Sequence, residues 1–181
     1  RDERRPTMAT TSFLYHTMGL KGYKHIRTEY SRGIILHHIK LKNTERRCRG
    51  CGARWHHLRK AGRFTRVFHA LPIGRKRQKI VLHGHEQYCR HCSRVLREPI
   101  RFAKAKKRSL RCFDRFIVDL CAIATIKAVA AFAGVGWDLV KGIFKEELKR
   151  RLNKRKLGTV RYIAVDEFAL RKGHRYMTVV M

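Results

Sequence analysis

Acidic side chains are scarce in this sequence: 13 Asp and Glu stand against 44 Lys and Arg in 181 residues, a formal charge of +31 before any of the 11 histidines takes a proton. One compact domain with that surplus would repel itself. A chain of small modules laid along phosphate would instead release counterions and gain affinity, so nucleic acid is the expected partner. An apolar leader is also missing, because Arg1-Asp2-Glu3-Arg4-Arg5-Pro6 leads into no signal-peptide-like run; this argues against secretion and for a reducing, intracellular setting. The most apolar stretch, Phe116 to Val135, is interrupted by Asp119 and Lys127 and reads as helix rather than membrane span. There is no solenoid-type repeat. What remains is 44% hydrophobic, enough to require packed cores. The chain starts at Arg1, with Met8 as a plausible true start, and stops at Met181 inside an expected strand, so both ends read as cut.

Period-two patterning predicts a hairpin from Tyr23–Tyr30, a turn at Ser31-Arg32-Gly33, and a return strand Ile34–Leu41. A second hairpin is predicted with arms Phe64–Leu71 and Gln78–Tyr88, joined by Pro72-Ile73-Gly74 and the basic tip Arg75, Lys76 and Arg77. Beyond Pro99 a basic linker containing Lys106, Lys107 and Arg108 leads to three helices, Phe113–Ile123, Ile126–Ala133 and Trp137–Leu152. A strand Val160–Val165, a turn near Lys172-Gly173 and a strand from His174 to Met181 complete the expectation.

Two C-x-x-C knuckles bracket the second hairpin, Cys48-Arg-Gly-Cys51-Gly52 and Cys89-Arg-His-Cys92-Ser93. Two intervening residues let both sulfurs of a knuckle face one ion, and a following Gly turns backbone N–H groups toward sulfur. Cys48, Cys51, Cys89 and Cys92 therefore read as a structural Zn²⁺ site in a zinc ribbon. Two disulfides and a redox pair are the competing readings. The setting disfavours the first, and neither pair opens a helix after a strand, as the second requires. His56, His57, His69, His83, His85 and His91 read as surface or phosphate contacts rather than ligands. Cys112 and Cys121 read as small core side chains.

The last two helices fit a helix-turn-helix. Ala130 is the small residue, Gly134 the turn Gly, and Val129, Ala133, Val135, Val140 and Ile143 the apolar set. An ordinary helix pair with a Gly turn is the alternative. In the first reading Trp137, Asp138, Lys141 and Lys145 face outward on a recognition helix, with Lys141 and Lys145 on phosphate. Asp166 follows a short apolar strand, a position that by itself suits a turn residue or helix cap as well as a metal ligand.

Taken together, Leu20-Lys-Gly-Tyr23, Cys48-Arg-Gly-Cys51-Gly52, Leu71-Pro-Ile-Gly74, Cys89-Arg-His-Cys92, Val135-Gly-Trp-Asp-Leu-Val-Lys141 and Ile163-Ala-Val-Asp-Glu167 with Lys172-Gly-His-Arg-Tyr176 make the sequence resemble the N-terminal part of a bacterial insertion-sequence transposase of the DDE type, with zinc ribbon and helix-turn-helix (the ISL-three family). The resemblance runs from Met8 through nearly the whole chain. It implies an α+β, multi-module architecture: a hairpin segment over 8–47, a zinc ribbon over 48–98, a basic linker and helix-turn-helix over 99–157, and the first strands of an RNase H-like domain over 158–181. It further implies binding to double-stranded DNA at transposon ends and target, assembly as a homodimer or higher on DNA, no membrane, and a bacterial cytoplasmic, nucleoid-associated location. Asp166 would be the first catalytic carboxylate and would hold Mg²⁺; the second Asp and the Glu are expected beyond Met181, so this chain would bind DNA without cutting it. The rival classes are a stand-alone DNA-binding regulator or truncated transposase, and a basic zinc-ribbon RNA-binding protein. The helix-turn-helix and the strand at Asp166 disfavour the last.

Overall fold

The computed structural model describes the backbone of residues 8–153, 165–171 and 175–180, with side chains over 13–153 and at 177 and 178. The chain divides into one unit that ends at Lys145 and another that starts at Glu146.

In the first unit, helix α1 (Met8–Met18) buries Leu14 and Met18, one turn apart, and leads into the buried Leu20 and Tyr23. Strands β1 (Tyr23–Ser31) and β2 (Ile34–Leu41) pair antiparallel through the expected turn. A long hairpin follows, β3 (Leu58–Ile73) and β4 (Lys76–Cys89), closed by Gly74 and Arg75. A short strand β5 (Arg94–Arg97) pairs with the end of β4. The sheet order is β1-β2-β4-β3. β4 is its centre: β3 lies along one edge, while β2, running parallel at Arg77 to Leu82, and β5, at Glu86 to Cys89, share the other. The 8–47 hairpin segment and the 48–98 ribbon segment therefore contribute to one sheet, and α1 is an addition to what the sequence led us to expect.

Three helices follow, α2 (Arg111–Cys121), α3 (Ile126–Ala133) and α4 (Trp137–Leu152). In α2 the stripe Phe113, Ile117 and Val118 is buried, at i, i+4 and i+5. Thr125 caps α3 by accepting the Ala128 N–H at 3.2 Å. Val129, Ala130, Val140 and Ile143 share one core with Ile39, Phe68, Ile80 and Leu82 of the sheet. Each such large side chain removed from water contributes about 1.5–3 kcal/mol. The basic stretch after Pro99 is no free linker, because Phe102, Ala103, Ser109 and Leu110 are buried in the same region. Its backbone is tied to β3, with the His69 N–H donating to the Arg108 carbonyl at 2.8 Å and the Leu110 N–H to His69 at 3.0 Å.

In the second unit β6 (Val165–Arg171) and β7 (Arg175–Val180) pair antiparallel, with Asp166 opposite Val179. The expected strand over 160–165 falls, apart from Val165, outside the described residues. Asp166 is corrected from a post-strand residue to a strand residue, since β7 offers the ladder partner that extends the strand through it.

Candidate metal centre and nucleic-acid interface

The four knuckle cysteines converge where the base of the β3–β4 hairpin meets β5. Their sulfurs all lie within 4.8 Å of one another, with Cys48 Sγ and Cys92 Sγ 3.6 Å apart and Cys51 Sγ and Cys89 Sγ also at 3.6 Å. A disulfide would need about 2.05 Å. A tetrahedron with metal–sulfur bonds of about 2.3 Å has sulfur–sulfur edges of about 3.8 Å, so the site could hold one metal ion. Leu58 pairs with Cys89 across the ladder, and Cys89 also pairs with Arg94, so the second knuckle is fixed by two strands at once. The first is fixed locally: the Cys48 N–H donates to the Ala53 carbonyl at 2.8 Å, and the Gly50 N–H to Cys48 Sγ at 3.4 Å.

Gly52 and Ser93 occupy equivalent places after their knuckles, and both are left-handed, at φ 76° and φ 52°. Ser93 thus adopts the turn that glycine serves more cheaply. The thiols do not ionise alike. Burial raises the Cys48 thiol, but backbone N–H groups of Cys51 and Gly50 outweigh it and hold the group at about 6. Burial and the three neighbouring thiols push Cys92 up to about 12. A cluster in which one thiolate forms readily and the next is opposed by its neighbours is suited to a cation that neutralises both. His56, His57 and His91 lie nearby, the last two with ring centroids 6.3 Å apart, outside the four-sulfur group.

The basic tip stands at the far end of the same hairpin. Cys89 lies thirteen residues along β4 from Lys76, about 40 Å of extended strand. Arg75 lies in the turn, Lys76 and Arg77 open β4, and all three are exposed. The tip meets the turn between α3 and α4, where Gly134 ends α3 in the left-handed conformation at φ 63°. A Cβ added at Gly134 would overlap the Arg77 guanidinium.

On α4, Trp137, Asp138, Lys141 and Lys145 are exposed while Val140 and Ile143 are buried. The four outward residues share an arc of roughly 100°. Lys141 Nζ lies 4.6 Å from the centre of the Trp137 ring, so this cation rests on an aromatic platform. Of the basic run, Lys106 is exposed and left-handed at φ 62°, the Lys107 carbonyl accepts from Arg66 at 2.9 Å, and Arg108 is exposed. Asp166 belongs to the second unit, as a residue of β6. The structure thus gathers the four cysteines at one place and the tip with the α3–α4 turn at another.

Sequence reading assigned no role to Lys24, Lys40, Lys42, Arg46 and Lys60, which line a cleft beside the sheet. Their local signal is weak, since in a sequence with 44 basic residues five more lysines and arginines do not stand out. Among the described residues, no helix is long and apolar enough to cross a membrane.

Over 167 residues, 90% of the chain, the sequence is 30% identical to the transposase for insertion sequence element IS1001 of Bordetella parapertussis. The matched region is 40% of that protein, so the chain spans less than half the length of this relative. No protein-family model matches the chain, and no solved structure matches it.

Proposed function

We propose that this chain is the end-binding portion of an insertion-sequence transposase of the DDE type. The observation that carries the reading is the 30% identity to the IS1001 transposase, which extends over 90% of the chain. In this reading α3 and α4 form a helix-turn-helix. The α4 face with Trp137, Asp138, Lys141 and Lys145 reads the terminal inverted repeats of a DNA duplex, while Arg75, Lys76, Arg77, Lys106, Lys107 and Arg108 hold phosphate. The Lys141 ammonium stacked on Trp137 supports this assignment, because a cation held in place loses less entropy on meeting a phosphate or base edge. Cys48, Cys51, Cys89 and Cys92 hold a structural Zn²⁺ that fixes the hairpin base.

The activity proposed for the whole transposase is phosphodiester cleavage at the element's ends and strand transfer into target DNA by a dimer or larger assembly in the bacterial cytoplasm. Mg²⁺ would supply Lewis-acid stabilisation of the attacking and leaving oxygens, with Asp166 as the residue of this chain that would hold it. One carboxylate does not furnish a two-metal site, so the reading requires further carboxylates from the whole transposase. The test is a gel shift with the zinc-loaded chain on terminal inverted repeats and on random duplex of equal length. Preferential retardation of the repeats is expected, and equal affinity for both would overturn end recognition.

A further inference from the structure

A cleft of about 450 Å³ opens beside the sheet, lined by Lys24, Lys40, Lys42, Arg46, Lys60 and His85 among others. Its cations are placed against local stability. Lys24 and Lys40 are direct cross-strand partners of β1 and β2, where like charges are destabilising. Ile39 and Leu41 enter the core, so alternation turns Lys40 to the other side, with Lys24 opposite it. At the cleft Arg46 is held in place: its Nε lies 3.0 Å from the buried Glu98 carboxylate, and its guanidinium lies 3.3 Å from His85 Nδ1. The same carboxylate accepts from Gln87 at 2.7 Å, so Glu98 is already committed. Among the described residues no carboxylate pairs with Lys24, Lys40, Lys42 or Lys60. Four exposed lysines without counter-charges, beside an arginine fixed by Glu98, suit an external anion.

Two features identify the anion. The cleft lining contains no Phe, Tyr or Trp on which unpaired bases could stack, which disfavours single strands. The cleft also lies at the opposite end of β4 from the basic tip. His85 is nine residues from Lys76, and Lys60 pairs with Gln87, eleven residues from it, spans of about 30 and 36 Å. One turn of B-DNA is about 34–36 Å, so the separation of tip and cleft along β4 matches one turn of a duplex. We propose that this cleft, on the sheet face turned away from the helices, is a second, sequence-independent backbone site for double-stranded DNA, about one helical turn along β4 from the basic tip. The inference rests on the reading of the chain as DNA-binding.

The test compares the full chain with the variant Lys24→Gln, Lys40→Gln, Lys60→Gln by fluorescence anisotropy on random-sequence duplexes of about 12 and about 30 base pairs over a range of salt. Each lost phosphate contact lowers the slope of log affinity against log salt by about 0.9. The expected result is a slope smaller by about 2 to 3 on the longer duplex, at least a tenfold weaker affinity near 0.1 M salt, and a smaller loss on the shorter duplex. Lys24→Arg with Lys40→Arg keeps the charge and should retain binding. An unchanged slope, an equal loss on both lengths, loss of binding in the arginine variant, or tighter wild-type binding to single strands than to duplex would overturn this inference while the DNA-binding reading stands. Failure of the wild-type chain to bind any duplex would overturn both.

Discussion

The guanidinium of Arg77 fills the space that a side chain at Gly134 would need, joining the tip of the β3–β4 hairpin to the turn between α3 and α4. The two residues come from segments that look independent in the sequence. Their contact makes the hairpin a strut beneath the proposed recognition element, so substitutions at the tip should act on α3 and α4 as well as on phosphate.

Gly134→Ala should destabilise the chain by about 1–2 kcal/mol, chiefly because alanine is strained in the left-handed region, while its Cβ also makes the flexible Arg77 guanidinium move aside. In an Arg77→Ala background the collision is gone and only the conformational part remains, so the loss should be smaller. Denaturant unfolding of the four proteins of this cycle measures the difference, and an identical loss in both backgrounds would show that the Arg77 contact carries no energy.

Replacing Cys48 or Cys92 with Ser should abolish binding of one zinc per chain. The buried helical core lies toward the other end of the long hairpin, so hydrogen exchange should rise over 48–58 and 86–97 while the amides of α2 and α3 stay protected. Retained zinc, or exchange rising equally everywhere, would contradict a site that acts locally.

Burial holds His37 below the ordinary histidine value of 6.5, and it is the main cause of lowered values at His25, His69 and His83. These rings hold their protons less tightly in the fold than in the unfolded chain, where they titrate near 6.5. The unfolded state therefore binds more protons as pH falls. The stabilisation is complete above the unfolded value and is lost progressively as pH drops toward the depressed folded values. Thermal melts from pH 7.5 to 5.5, with zinc content monitored, should show a falling midpoint, and His37→Gln should reduce its slope; a flat profile would contradict burial as the cause.

Lys141→Ala should reduce preference for the element's ends over random DNA more than Lys106→Ala or Lys107→Ala does. Trp137, already stacked with Lys141, offers a direct reporter: in a Trp55→Phe background, binding of the cognate duplex should change the remaining tryptophan emission. Equal and purely salt-dependent losses at all three lysines would mean that α4 touches only backbone.

Much of this molecule is written locally. Ile126–Ala133 and Trp137–Leu152 have in the structure the bounds that periodicity and the Gly134 turn predict, because capping and one-face burial act within a turn or two of helix. The cysteine pairs likewise announce their convergence, since each C-x-x-C fixes two sulfurs and a hairpin is the shortest way to bring the pairs together. Helix α1 was not legible: Leu14 and Met18 are buried but Phe13 and Tyr15 beside them are exposed, leaving no clean apolar stripe. The stretch after Pro99 read as linker because its charges outnumber Phe102 and Leu110, which the fold nevertheless buries.

What the sequence determined by itself is the set of short-range commitments: a large excess of positive charge, four thiols in two knuckles, three helices and the hairpins. Only the tertiary structure decided that β2 runs parallel to β4, that Arg77 lies against Gly134, and that Lys24, Lys40, Arg46 and Lys60 line one cleft. Those relations join residues tens of positions apart, and no local period encodes them. They follow from one shared core, in which the apolar faces of β2, β3 and β4 are buried together with the apolar residues of α2, α3 and α4.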